Sequence, residues 1–486
     1  MPSTTSFLSL VLLGLVCGRL LINWLHLKKA PGPAIAGATD LWRAYQQYKG
    51  RLRGKISDLH AQYGPVVRYG VRSISINDSE VVTVVYGSRA GFITADSYNV
   101  LVGIQNGKEV SSLISTRDES RHAALRRSVA NAFTPTASLD YENAIDATTR
   151  ELIVKIDTKT RFDLSSMILW YTVDVAGRFS FGEPVGCLAG EDDVSGSIQL
   201  IRDRFNHWGW WSSIPGLERL IFRNPIAMRQ KRAPSSMAAL ALSKLKARSF
   251  QAGHIDTKEN PDLLTKFLDA REHHPDILDT TGIVGMLMST ITAAGDTTAT
   301  AITVALYHLL RNPEYLKKLE DELTGLPEIP AYSDLSKLPY LNAVVKEALR
   351  IFPVSNWPIE RLVPAGGVTI AGMFFPEGTS VGCLPSVLHQ NKHIYGEDAR
   401  LFRPDRWLIS DREQLRRLEA AHMGFSRGRR VCLGQHIAVI QMKKVIATIV
   451  IKYKLSLLHP EAELGADFSS AVACLEPLHV LSQIKQ

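Results

Sequence analysis

The chain has 486 residues, 45% of them hydrophobic and 21% charged, with a net charge of +8. That length exceeds one small core, and the composition excludes a disordered, collagenous or membrane-filling chain. Five scattered cysteines (Cys17, Cys187, Cys383, Cys432 and Cys474) exclude a disulfide scaffold and favour a reducing compartment. No repeat, low-complexity tract, charge block or Gly/Ser linker divides the chain. One globular domain after an N-terminal apolar segment is the simplest division, and nothing points to nucleic acid.

Ser6 to Leu25 is apolar over about 20 residues, the span of a bilayer core. Arg19 can snorkel from near its end, Trp24 suits the interface, and Lys28 and Lys29 follow. Positive charge on that side predicts a body facing the cytoplasm. A cleaved signal peptide is the alternative, but the early segment lacks positive charge and no clear A-x-A site follows. Residues 1–29 therefore read as a membrane anchor with a helix at about 6–25, and residues 30–486 as the body. Pro31, Gly32 and Pro33 break the helix and stiffen its exit.

Leu52 to Tyr63 has helical spacing and stops at Gly64-Pro65. Val66 to Tyr69 and Ser73 to Ile76 read as short strands, and Asp78 can cap a helix running to Tyr86. Between Thr116 and Phe133, His122 and Arg126 lie four apart and share a helix face; alone, such a pair reads as solvated. Trp208, Trp210 and Trp211 cluster in HWGWW, fitting either a membrane interface or ordinary packing.

The longest helical pattern runs from about Asp279 to Arg311 and ends at Asn312-Pro313. It is apolar almost all round, which predicts burial through the centre. In its middle stands TAAGDTTAT, Thr292 to Thr300. A glycine, an acid and threonines there are costly unless satisfied or functional. A Thr hydroxyl can bond the carbonyl one turn back and loosen the helix. KEALRIFP places Glu347 and Arg350 three apart before Pro353, on its face an ordinary surface pair. Ile359 to Gly382 alternates like short strands with Gly-rich turns.

FSRGRRVCLG, Phe425 to Gly434, holds Cys432 among Gly and Arg and leads into an apolar helix pattern. Arg427, Arg429 and Arg430 flank the cysteine and a helix N-terminus lies beside it, so both favour an anionic sulfur. Such a sulfur either attacks or ligates a metal, unless it is merely a buried structural thiol. No CxxC or CxH spacing lies nearby, which argues against zinc. One thiolate ligand between glycines suits a large flat cofactor pressed against backbone, haem held by cysteine.

Phe425, Gly428, Arg430, Cys432 and Gly434 fill every fixed position of F-x-x-G-x-R-x-C-x-G, and the chain resembles the cytochromes P-450. TAAGDTTAT resembles that family's long-helix motif at Ala293, Asp296, Thr297 and Thr298; Ala294 departs from it where Gly is usual, and Gly295 follows. Phe402, Pro404, Arg406 and Trp407 fit its F-x-P-x-R-W. The resemblance spans roughly residues 30 to 480 and implies a mainly α fold with a small β-rich lobe, a single catalytic domain after an N-terminal transmembrane helix.

It further implies haem b (iron protoporphyrin IX), with Cys432 as the iron's axial ligand and Phe425, Gly428 and Gly434 shaping the loop. His122, Arg126, Arg361 and Arg430 would balance the haem propionates. Asp296 and Thr297 would deliver protons, and Glu347, Arg350 and Arg406 would form a buried cluster behind the cysteine loop. Substrate contacts are expected between Tyr98 and Asn106, at Ile291 and Ala294, and at Val354, Asn356 and Trp357.

No flavin or nicotinamide motif is present, so the resemblance implies NADPH and flavins acting through NADPH–cytochrome P-450 reductase, with cytochrome b5 as a further donor. Arg427, Arg429, Lys443 and Lys444 are candidates for that docking face. The implied site is the endoplasmic reticulum membrane, with lipid contact through the anchor. PGPAIAGATDLWRAY, YGPVVRYG and SINDSEVVTVVYG look like filamentous-fungal members, especially the pisatin demethylase-like group. The implied activity is monooxygenation of a lipophilic secondary metabolite. The alternatives are an electron-independent haem-thiolate isomerase or dehydratase, a demethylase acting on plant defence compounds, and a non-catalytic haem sensor.

Overall fold

The computed structural model describes residues 4–87, 91–105, 107–230, 236–250 and 262–485. Asn106, at the end of the expected substrate loop, lies outside them.

Helix α1 (Thr4–His26) leaves Leu8, Leu10, Leu12, Leu13 and Leu15 exposed. Its Leu8–His26 stretch has a mean hydropathy of 2.0 and is long and apolar enough to cross a membrane. The helix end is already bound to the body. Buried Arg68 donates to the carbonyls of Asn23 at 2.7 Å and Trp24 at 2.8 Å, two of the groups a helix C-terminus leaves without partners. Leu27 and Ala30 then enter the core of the β-rich lobe.

That lobe forms where the short-strand patterns predict it. Helix α2 (Leu52–Tyr63) ends at Gly64, and β1 (Val66–Arg68) pairs antiparallel with β2 (Ser73–Ile76). Asp78 accepts from the Glu80 N–H at 2.8 Å, just ahead of helix α3 (Glu80–Tyr86). Strand β3 (Ile93–Thr94) leads into a 3₁₀ helix at Asp96–Leu101.

The helical body follows. It comprises α4 (Glu119–Val129), α5 (Leu164–Phe181), α6 (Ser197–Trp211), α7 (Pro215–Phe222), α8 (Thr280–Arg311) and α9 (Pro339–Ile351). Strands β4 (Arg361–Leu362) and β5 (Ser380–Gly382) then return to the lobe and complete a sheet of order β1-β2-β5-β4-β3. β5 runs parallel to β2, with Val381 opposite Ile74, and antiparallel to β4, with Val381 opposite Arg361. Helix α10 (Gln435–Lys452) and the hairpin β6 (Ala466–Asp467) and β7 (Cys474–Leu475) close the chain around the centre.

Helix α8 is the axis of the molecule. Asp279 caps it by accepting from the Gly282 N–H at 2.7 Å, and its 32 residues span about 48 Å. Its second half, Thr298 to Leu306, is buried on every side, as its all-round apolar sequence requires. Gly295 allows α5 to approach: a Cβ there would lie 3.1 Å from Val173 Cγ2 and 3.4 Å from Ile201 Cδ1. The departure at Ala294 is therefore not a displaced groove glycine, because Gly295 faces α5 and α6.

Candidate active site between the cysteine loop and the central helix

The Phe425–Gly434 segment is folded tightly on itself. The Cys432 N–H donates to the Phe425 carbonyl at 2.9 Å, and the Val431 N–H to the Gly428 carbonyl at 3.1 Å. Gly428 has φ +66°, and a Cβ there would collide with the Tyr86 carbonyl, so only glycine fits. A Cβ at Gly434 would instead meet open space. Cys432 is itself accessible, yet burial is the largest influence on its thiol and raises its pKa; the Gly434 N–H and the Arg126 guanidinium pull the other way. A sulfur that is accessible while enclosed by protein lies on an interior surface.

The flanking arginines do not act on the sulfur as their spacing implies. Arg427 turns away to the carbonyls of His422 and Glu419, and Arg429 to that of Phe92 at 3.0 Å. The cation that reaches the thiol is Arg126 of α4, whose Nη1 also donates to the Val431 carbonyl at 2.9 Å.

His122 stands one turn before Arg126 and is buried, while Arg127 points outward. Burial, reinforced by Arg430, pushes the His122 pKa down to about 4, so the ring is neutral at pH 7 and can donate or accept one hydrogen bond. Arg430 pairs with Glu119 at 2.7 Å and donates to the Leu113 carbonyl, while its buried Nε has no partner among the described residues. Arg361 is buried on β4 between the rings of Tyr86 and Tyr98, 5.6 and 5.8 Å from their centres. Three guanidinium groups and a neutral imidazole thus converge, and among the described residues Glu119 is the one acid paired with them.

On α8, Ala293 is exposed although Ile291, Gly295 and Asp296 around it are buried, so it too lies on an interior surface. Thr297 Oγ1 donates to the Ala293 carbonyl at 2.5 Å, the back-bond expected from its sequence. Thr172 of α5 donates to the Gly295 carbonyl at 3.0 Å. Asp296 is 5% exposed, and its Oδ2 has no partner among the described residues. Burial raises its pKa to about 6, moderated by Arg202 of α6. Neither Arg202 nor Cys474, which also senses Asp296 from β7, carries any sequence signal for this position, because α6 and the hairpin meet α8 only in the folded chain.

Glu347, Arg350 and Arg406 are fully enclosed. Glu347 accepts from Arg350 at 2.7 and 2.8 Å, from Trp407 Nε1 at 2.9 Å and from Arg406 at 3.5 Å. Asp398 takes the second Arg406 contact at 2.9 Å. The FRPDRW motif singles out Trp407 but not its bond to Glu347, and Asp398 carries no sequence signal for this cluster. This cluster is buried, in contrast to the surface pair its spacing alone suggests.

Among the expected substrate contacts, Ala294 and Val354 are partly exposed, whereas Ile291 is buried. Asn356 is tied to the carbonyls of Phe468 at 2.5 Å and Ser470 at 3.2 Å, and Trp357 is 1% exposed. Of the tryptophans of HWGWW, Trp208 is buried against Tyr98, while half-exposed Trp210 and Trp211 pack on Tyr48, itself exposed, and on Phe222. Lys443 and Lys444 are buried, so they are not part of a docking face. Lys444 pairs with Glu142 and Asp146 at 2.5 and 2.8 Å, and Lys443 lies over the Tyr332 ring. Arg429 keeps an exposed side.

The cytochrome P450 family profile matches residues 39–481, and the chain belongs to that family. A cytochrome P450 monooxygenase of Aspergillus terreus is 33% identical over 458 residues, covering 90% of this chain and 92% of the relative. Cytochrome P450 monooxygenase pkfB of Emericella nidulans is 31% identical, covering 95% and 93%. Cytochrome P450 monooxygenase mpaDE of Penicillium brevicompactum is 30% identical, and there the match covers 91% of this chain but 54% of the relative. The fold is the mainly helical one with a small β-rich lobe, and the chain is a monooxygenase of this family. The family's haem suits the residues present: an accessible thiol on an interior surface, open space at Gly434 and a surplus of cations around an unpartnered Arg430 Nε.

Proposed function

We propose that this monooxygenase oxidises a lipophilic small molecule at the space between Cys432 and α8, with electrons from NADPH delivered by a reductase. The accessible but enclosed Cys432 sulfur is the observation that carries the reading. Haem, when bound, supplies dioxygen activation and insertion of one oxygen atom into the substrate.

The chain's own residues do the rest. Cys432 would hold the haem iron through its sulfur, the residue being fixed by its N–H on the Phe425 carbonyl. Arg126, Arg361, Arg430 and neutral His122 would hold the two haem propionates, and these carboxylates would satisfy Arg430 Nε, which lacks a partner among the described residues. Burial raises the Asp296 pKa to about 6, so at neutral pH the carboxylate is mostly ionised yet takes up and passes on a proton readily. Thr297 Oγ1 relays it, its bond to the Ala293 carbonyl orienting the hydroxyl. The Glu347–Arg350–Arg406 cluster holds the cysteine loop in place without entering the chemistry.

The apolar, exposed α1 supports a single-pass anchor in the endoplasmic reticulum with the body on the cytoplasmic side. The net charge of +8 and exposed Arg429 support docking of an acidic reductase, with cytochrome b5 as a second donor. The fungal relatives support a role in secondary-metabolite oxidation.

The test is the carbon monoxide difference spectrum in microsomes reduced by NADPH with added reductase. A red-shifted thiolate band produced by NADPH is expected. A band obtained only with dithionite would favour electron-independent rearrangement.

A further inference from the structure

We propose that Arg204 of α6 binds a carboxylate of the substrate, so that the preferred substrates are lipophilic carboxylic acids rather than neutral compounds. The inference rests on the monooxygenase reading and deepens it.

Arg204 is a guanidinium without an acid. Among the described residues no carboxylate pairs with it, and its one bond is to the Leu101 carbonyl. The two acids nearby are taken by Arg223, which binds Glu218 at 2.8 and 3.1 Å and the exposed Glu109 at 3.4 Å. Glu218 also meets His207 at 3.0 Å. Burial pulls the Arg204 pKa down to about 10, with Arg223 adding to the fall and Glu218, though paired to Arg223, opposing it, and the residue stays partly exposed. Enclosure with residual access is the combination found at Cys432. A partly exposed guanidinium with no carboxylate paired to it carries a desolvation cost that an anion would offset.

Its position suits a substrate anchor. Ile201, three residues earlier and on the same helix face, approaches α8 at Gly295. Leu101 ends the 3₁₀ helix whose Tyr98 lies against Arg361. Arg204 thus stands above the central helix, beside the segment leading to the propionate cations. A carboxylate there is held by charge-assisted, bidentate bonds while the apolar remainder extends into the interior. One guanidinium without an acid matches one singly charged group, which favours a carboxylate over a phosphate.

The test is equilibrium binding to the haem-loaded protein by calorimetry and by the substrate-induced Soret shift. The probes are decanoate, dodecanoate and phenylbutyrate, each against its own methyl ester, with wild type, Arg204→Met and Arg204→Lys. Wild type is expected to prefer the acids. Arg204→Met should weaken acid binding by at least about thirtyfold and leave the esters unchanged, while Arg204→Lys should retain part of the preference. No acid preference in wild type, or the same preference in Arg204→Met, would overturn the proposal. Each preparation is first checked by its carbon monoxide spectrum. Absence of a thiolate band in wild type would sink the monooxygenase reading and this proposal with it, whereas an intact band without acid preference sinks this proposal alone.

Discussion

Asp296 is held in the folded protein at a cost, and that cost is measurable. Its pKa rises from 3.8 to about 6, chiefly through burial. The folded state therefore binds the proton more tightly than the unfolded state, and the associated stability is lost as pH rises from about 4 through 6. Asp296→Asn cannot ionise and escapes this loss. Relative to wild type it should gain stability between pH 4 and pH 8, by up to about 3 kcal/mol, in unfolding followed across that range. A stability difference that stays flat with pH would place the carboxyl outside this environment. Thr297→Ala tests the next atom of the relay. It should retain NADPH consumption but release hydrogen peroxide, with product formation lower on the order of a hundredfold; unchanged coupling would route protons elsewhere. The acid and the alcohol were legible because polar residues in an apolar helix demand a reason. Arg202 and Arg204 were not, because on sequence they are two more charges on an amphipathic helix and acquire meaning only where α6 crosses α8.

At the scale of elements, α9 and the FRPDRW segment are held together by one carboxylate. Glu347 takes bonds from Arg350, Trp407, Arg406 and the Arg403 N–H. Glu347→Ala should cost about 3–5 kcal/mol, because it leaves buried Arg350 without its carboxylate while Arg406 keeps Asp398, and thermal unfolding would read the loss. Trp407→Phe removes one donor and should cost about 1 kcal/mol. Equal, small effects of both would show that the cluster is not cooperative. The long helix could be read from sequence to its caps because Asp279 and Asn312-Pro313 are local signals and its apolar pattern is continuous. The burial of Lys443 and Lys444 could not be read, since α10 turns both amines inward to partners supplied by distant segments, Glu142 and Tyr332 among them.

Across the whole molecule, the N-terminal apolar helix and the body share a joint. Arg68 draws the Asn23 and Trp24 carbonyls into the lobe, so the body begins within the last turn of α1 rather than at the Pro31-Gly32-Pro33 hinge. Deleting residues 1–20 should abolish flotation with lipid vesicles while leaving the melting temperature unchanged. Deleting residues 1–29 should also lower stability, by about 1–3 kcal/mol for each buried donor left unpaired. Identical melting of the two truncations would show that the joint contributes nothing. An apolar stretch of about twenty residues announces a span by length alone, whereas its attachment depends on an arginine more than forty positions away.

The most direct test of the account compares carbon monoxide difference spectra of wild type and Cys432→Ser in the same membranes, at matched haem content. Wild type should give the red-shifted thiolate band and Cys432→Ser should lose it. A thiolate band retained in Cys432→Ser would remove Cys432 from the iron and contradict the assignment on which the rest depends.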